Sequence, residues 1–127
     1  MKKAITGALA LLFFYACAHV QEHITDNCDV LPIPHSVELT SDRFAFDGDV
    51  ALEIVAGDED KRILNDYLEA SPLAFAEKGS KSLTLEIAAV EGITSPEGYR
   101  LESTEDNVKV TALSGAGLFY GVQTILQ

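Results

Sequence analysis

The sequence predicts an α+β fold, an antiparallel or mixed β-sheet with helices packed on one face. Three observations carry that reading. Apolar and polar residues alternate at strand period in several separate stretches, helical spacing replaces that period after Gly57 and again after Ser114, and the segments follow in the order strand, strand, helix, strand, hairpin, helix. The chain has 127 residues, 47% of them hydrophobic, which suffices for the core of one domain.

Lys2 and Lys3, an apolar run from Ala4 to Ala16 and the small residues of Ala16-Cys17-Ala18 have the three parts of a secretory signal. The run falls short of the roughly 20 residues that a membrane-spanning helix needs. We therefore expect a signal peptide of lipoprotein type over residues 1–17, a polar tether over 18–30 and the folded domain over 31–127. Phe14-Tyr15-Ala16-Cys17 resembles a bacterial lipoprotein box that would place an acyl anchor on Cys17, with Phe14 where Leu is usual. The alternative is release after Ala18. The expected location is the periplasm, outer membrane or surface of a bacterial cell. Loss or acylation of Cys17 leaves Cys28 alone, so no disulfide framework is expected, and no basic neighbour in sequence marks Cys28 as reactive.

In the domain, the spaced prolines of Leu31-Pro32-Ile33-Pro34 forbid helix and favour an extended entry. Val37 and Leu39, then Phe44 and Phe46, alternate as in a half-buried strand, with Asp47-Gly48-Asp49 as its turn. Val50 to Ala56 reads as a more buried strand. Ile63, Leu64, Tyr67 and Leu68 recur at helical spacing behind Asp58, Glu59 and Asp60, which suit the positive end of a helix dipole, and Ser71-Pro72 ends the helix. Leu83, Leu85 and Ile87 alternate with Thr84, Glu86 and Ala88 as a strand with one wet face. Tyr99–Ser103 and Val108–Ala112 flank Thr104-Glu105-Asp106-Asn107 as a hairpin. Ser114-Gly115 then turns the chain into a helix from about Gly117.

Charge narrows the range of partners. Nine Lys and Arg stand against 20 Asp and Glu, a formal charge of −11, and removing Lys2 and Lys3 with the leader takes it to −13. Neutralising phosphates requires clustered cations, so nucleic acid is not an expected partner, and membrane contact is expected only through a lipid anchor.

Three constellations invite a catalytic reading, and context argues against each. His19-Val20-Gln21-Glu22-His23 fits the H-x-x-E-H spacing of a zinc protease helix, yet it lies in the tether. Asp58-Glu59 is an adjacent acidic pair of the kind some glycosidases use. Solvated acids in a helix's first turn lack the pocket needed to separate their proton affinities. His35 stands alone. No phosphate loop or nucleophile elbow occurs, so we expect no catalytic, cofactor-binding or metal-binding residues, and no cofactor.

Leu31-Pro32-Ile33-Pro34 with the strands after it, Pro96-Glu97-Gly98-Tyr99-Arg100-Leu101, and Ala116-Gly117-Leu118-Phe119-Tyr120-Gly121-Val122-Gln123-Thr124-Ile125-Leu126-Gln127 together resemble the N-terminal domain of bacterial family 20 β-N-acetylhexosaminidases. The resemblance covers about residues 30 to 127. Related accessory domains precede the barrels of α-glucuronidases and O-GlcNAcase-like enzymes, and the Pro-Glu-Gly-Tyr hairpin favours family 20. It implies a non-catalytic domain packed on a (β/α)₈ barrel, whose own Asp-Glu pair would hydrolyse terminal N-acetylhexosamine with help from the substrate's acetamido group. Glycan would be met only through that barrel. A barrel needs about 250 residues, so the chain is expected to be a fragment, inactive alone, of a longer glycosidase. The alternative is a free-standing exported domain that binds glycan or protein.

The last helix offers the expected interface. Gly117 and Gly121 form a smooth strip, while Leu118, Phe119, Val122, Ile125 and Leu126 cover more of its circumference than a helix with one wet side allows. These five residues are the candidates for contact with a barrel. The competing reading buries the helix wholly in its own sheet.

Overall fold

Strand β1 (Val50–Val55), helix α1 (Asp58–Glu69), strands β2 (Lys81–Ile87), β3 (Tyr99–Ser103) and β4 (Asn107–Ala112), and helix α2 (Gly115–Ile125) follow one another in a computed structural model that describes residues 30–127. The signal, the Cys17 site, most of the tether and the His19–His23 motif lie outside the described residues.

The four strands form a mixed sheet in the order β1-β2-β4-β3. β2 pairs in parallel with both β1 and β4, and β3 runs antiparallel to β4 on the far edge. In-register partners share a face, so Ile54, Leu85 and Val110 line up across three strands, as do Leu83 and Val108. With Val50 and Ala112 these side chains are buried, and the helices cover them with Leu64 and Leu68 from α1 and Leu118 and Val122 from α2. The α+β layer with helices on one face is thus the observed fold, and its sheet is mixed.

The opposite face follows the same alternation and is polar. Glu53, Thr84, Glu86, Lys109 and Thr111 lie on it. Lys109 Nζ sits 2.6 Å from Glu86 Oε2, and that bond holds the ammonium's pKa above its ordinary value. β2 therefore has the wet face that its alternation predicts, although it is an interior strand.

Local chemistry accounts for the boundaries. α1 starts at Asp58 with all three acids in its first turn and stops at Ala70, where Ser71 Oγ donates to the carbonyl of Leu68 at 2.7 Å. α2 starts two residues earlier than expected because Ser114 acts as its N-cap, accepting from the Gly117 amide. The β3–β4 turn is closed by Thr104 N donating to Asn107 O at 2.8 Å, which makes Asn107 the first residue of β4.

One expectation fails. Residues 37–46 form no strand, and Val37 and Leu39 are 44% and 54% exposed. Phe44 and Phe46 do turn inward, meeting edge to face at 4.9 Å against the core. Period-2 patterning states which side chains can be buried, but a strand also needs a neighbour for its N–H and C=O groups, and no described strand edge supplies one to this segment.

The Asp47-Gly48-Asp49 turn is formed, with Gly48 at φ +89°, where a side chain would be strained. It is tied to the start of β2 by Lys81 Nζ on Asp47 Oδ2 at 2.6 Å and by Ser80 Oγ donating to Asp49 Oδ2 at 2.5 Å. The Lys81 bond holds the Asp47 carboxyl below the ordinary carboxylate range. A lowered folded-state pKa contributes stability above the unfolded value that is lost as pH falls through the folded one. In Asp47→Asn the urea midpoint should accordingly fall slightly at pH 7 and match the parent's once both are acidified below the carboxylate range. Equal midpoints at both pH values would show that the pair contributes nothing.

Candidate functional site

Helix α2 carries the candidate residues, and its own sheet decides which of them remain available. Gly117 and Gly121 face inward. A Cβ on Gly117 would lie 2.5 Å from the carbonyl oxygen of Gly98 and 2.8 Å from the Ala112 methyl, and one on Gly121 would collide with Val110 Cγ1. The smooth strip thus admits this domain's own β4 and the loop before β3. Leu118 and Val122 are fully buried beside it. Those two candidates have no surface left for a neighbour, because the strip and the sheet enclose them.

Phe119, Ile125 and Leu126 are only partly buried. Phe119 is half-buried between the helices, with its ring 4.8 Å from that of Tyr67 on α1 and 6.3 Å from that of Tyr120. Gln123 Nε2 donates to Tyr67 Oη at 2.5 Å and links the two helices. Tyr120 is 43% exposed, as is Ile63 at 44%, one turn before Tyr67 on α1. Ile63 and Tyr120 therefore flank the half-buried Tyr67–Phe119 pair, and the four together make an apolar, largely aromatic ridge where the two helices meet.

Ile125 turns to the other side. It borders a cleft of about 300 Å³ with Val30, Phe44, Phe46, Leu101 and Val108, whose polar lining is Ser103 and Thr124. Thr124 Oγ1 donates to the carbonyl of Tyr120 and so accepts from Tyr99 Oη, which anchors α2 to β3. A second cleft of similar size, between Leu52, Leu68 and Phe75, contains one carboxylate, Glu69. Neither cleft brings together two acids, or an acid and an imidazole.

The acidic pair is placed as its sequence context suggests. Asp58 and Glu59 are exposed in the first turn of α1. Asp60 differs from them, since its carboxylate packs against Gly115 at the N-terminal end of α2, a helix with no acid in its own first turn. His35 is exposed. Among the described residues no group of three or more His, Cys, Asp and Glu side chains could hold a metal ion.

Sequence reasoning missed two features. Tyr120 was not singled out, although its position two residues before the buried Val122 places it on the outer face. The second feature had no sequence signal. The Gln127 side chain bridges the backbone of Leu31, its Oε1 accepting from Leu31 N at 2.8 Å and its Nε2 donating to Leu31 O at 2.5 Å.

The model of glycosyl hydrolase family 20, domain 2, matches residues 27–127. Among solved structures, the GH20 β-N-acetylhexosaminidase from Streptomyces coelicolor A3(2) is similar, with a TM-score of 0.60 and 33% identity, over 75% of this chain and 20% of that one. This chain thus spans about a fifth of that enzyme's length. No curated protein sequence matches it.

Proposed function

We propose, because this chain belongs to glycosyl hydrolase family 20 as that family's domain 2, that it is the non-catalytic domain of an exported β-N-acetylhexosaminidase whose (β/α)₈ barrel lies C-terminal to Gln127. The barrel would hold the Asp-Glu pair that removes terminal N-acetylhexosamine. The observation that carries this reading is the family match over residues 27–127, and the exposed Ile63 and Tyr120, beside the half-buried Tyr67–Phe119 pair, leave apolar surface on the helix pair for a neighbour. Of the five candidates on α2, Phe119 is the one that meets this surface.

Kinetics test the proposal. A chromogenic N-acetylglucosaminide should show no turnover with the 127-residue chain and clear turnover with the polypeptide encoded through and beyond Gln127. Activity of the short chain, or an unrelated sequence downstream of the Gln127 codon, would overturn the reading.

Export is part of the proposal, with Cys17 as the acylated residue. Each buried CH₂ of an acyl chain adds about 0.8 kcal/mol of membrane affinity. Labelled palmitate should enter the protein in bacterial cells and be lost in Cys17→Ser. Equal labelling of the two would assign the lipid elsewhere, and no label in either would remove the anchor.

A further inference from the structure

The segment from Leu31 to Leu39 leaves four large apolar side chains uncovered. Leu31 is 69% exposed, Ile33 86%, Val37 44% and Leu39 54%. Its Val37 and Leu39 continue the strand-like alternation of Phe44 and Phe46, but only the phenylalanines find a core in this domain. The first residue of the segment is tied to the domain. Gln127 bonds to both backbone polar groups of Leu31, across 96 positions of sequence, as a neighbouring strand residue would. The point where the chain leaves α2 is therefore fixed against the start of the uncovered segment.

We infer that Leu31, Ile33, Val37 and Leu39 form a second half of the interdomain contact, covered by the catalytic domain that follows Gln127. This inference rests on the reading proposed above. A domain connected at Gln127 begins at the residue whose own side chain holds Leu31, and in the related Streptomyces enzyme four-fifths of the chain lies outside the part matched here. Contact at that end of the layer needs no long linker. It also gives Val37 and Leu39, the exposed part of the alternation whose Phe44 and Phe46 enter this domain's core, an apolar surface to cover them. The aromatic ridge on the helices and the entry segment would then be two contacts made by one occupant.

Hydrogen exchange read by mass spectrometry tests the inference on two proteins, the 127-residue chain and the polypeptide encoded through and beyond Gln127. Amides of residues 35–40 should exchange at least roughly tenfold more slowly in the longer protein, as expected for backbone moved from an open to a covered site. Ile33→Ser combined with Leu39→Ser should leave the Tm of the short chain unchanged, because both side chains are exposed in it, and should lower the Tm of the longer protein. Protection confined to α1 and α2, with residues 35–40 equally fast in both proteins, would overturn the inference and leave the hexosaminidase reading standing. A downstream polypeptide without a barrel would overturn both.

Discussion

Gly117→Ala is expected to destabilise the domain by about 2 kcal/mol or more, the upper part of the range for overpacking. The sign is the informative part. In an exposed helix interior the same change stabilises by up to about 1 kcal/mol, because alanine is the better helix former. At Gly117 the new methyl would lie 2.5 Å from the Gly98 carbonyl oxygen and 2.8 Å from the Ala112 methyl. The first obstacle is backbone and cannot rotate away, so α2 must lift off β4 and uncover Leu118 and Val122. Gly121 supplies the control, since its obstacle is a side chain, Val110 Cγ1. Gly121→Ala should destabilise alone, and Val110→Ala should offset part of that loss, giving a nonadditive double-mutant cycle. No such rescue is available to Gly117. Urea denaturation followed by circular dichroism measures all four proteins, and a higher midpoint for Gly117→Ala would show that the glycine strip does not face the sheet.

Leu118→Ala is the second large effect, with a loss of about 2–5 kcal/mol expected in the 127-residue chain itself. Leu118 is fully buried among strands of its own domain, so the cavity forms whether or not another domain is attached. Tyr120→Ala should behave oppositely. It removes a side chain that is 43% exposed, and surface changes of that kind alter stability by no more than about 0.5 kcal/mol. Its effect should appear only when a barrel covers the helix pair. A harmless Leu118→Ala in the short chain, with a large effect in the longer one, would move Leu118 from the core back to the interface.

These two predictions bear on how much of the candidate site was legible. The composition of α2 showed that the helix carried more apolar surface than one wet side permits, and it identified Leu118, Phe119, Val122, Ile125 and Leu126. It could not divide them. Periodicity gives the angle between residues on a helix but leaves the rotation of the helix about its axis open. The close approach at Gly117 and Gly121 fixes that rotation, turning Leu118 and Val122 inward, Phe119 toward α1 and Tyr120 outward. A glycine strip reads the same in sequence whether it admits the domain's own strand or a neighbour's.

The hairpin shows the same limit in the sheet. Tyr99–Ser103 and the residues of β4 were recognisable as a pair, but local pattern does not say which member sits beside β2. The answer follows from burial. Val108, Val110 and Ala112 are buried between two strands, whereas β3 carries Arg100 and Glu102 in the open, as an edge strand tolerates.

The sequence by itself determined all but one of the elements, most of their boundaries, the fold class and the family, because each depends on interactions within a few residues or on a pattern that the chain displays directly. Only the tertiary structure decided the strand order, the rotation of α2, the failure of residues 37–46 to form a strand, and the bridge from Gln127 to Leu31. Each of those depends on which distant groups compete for the same buried volume or backbone partner, a choice that no local periodicity encodes.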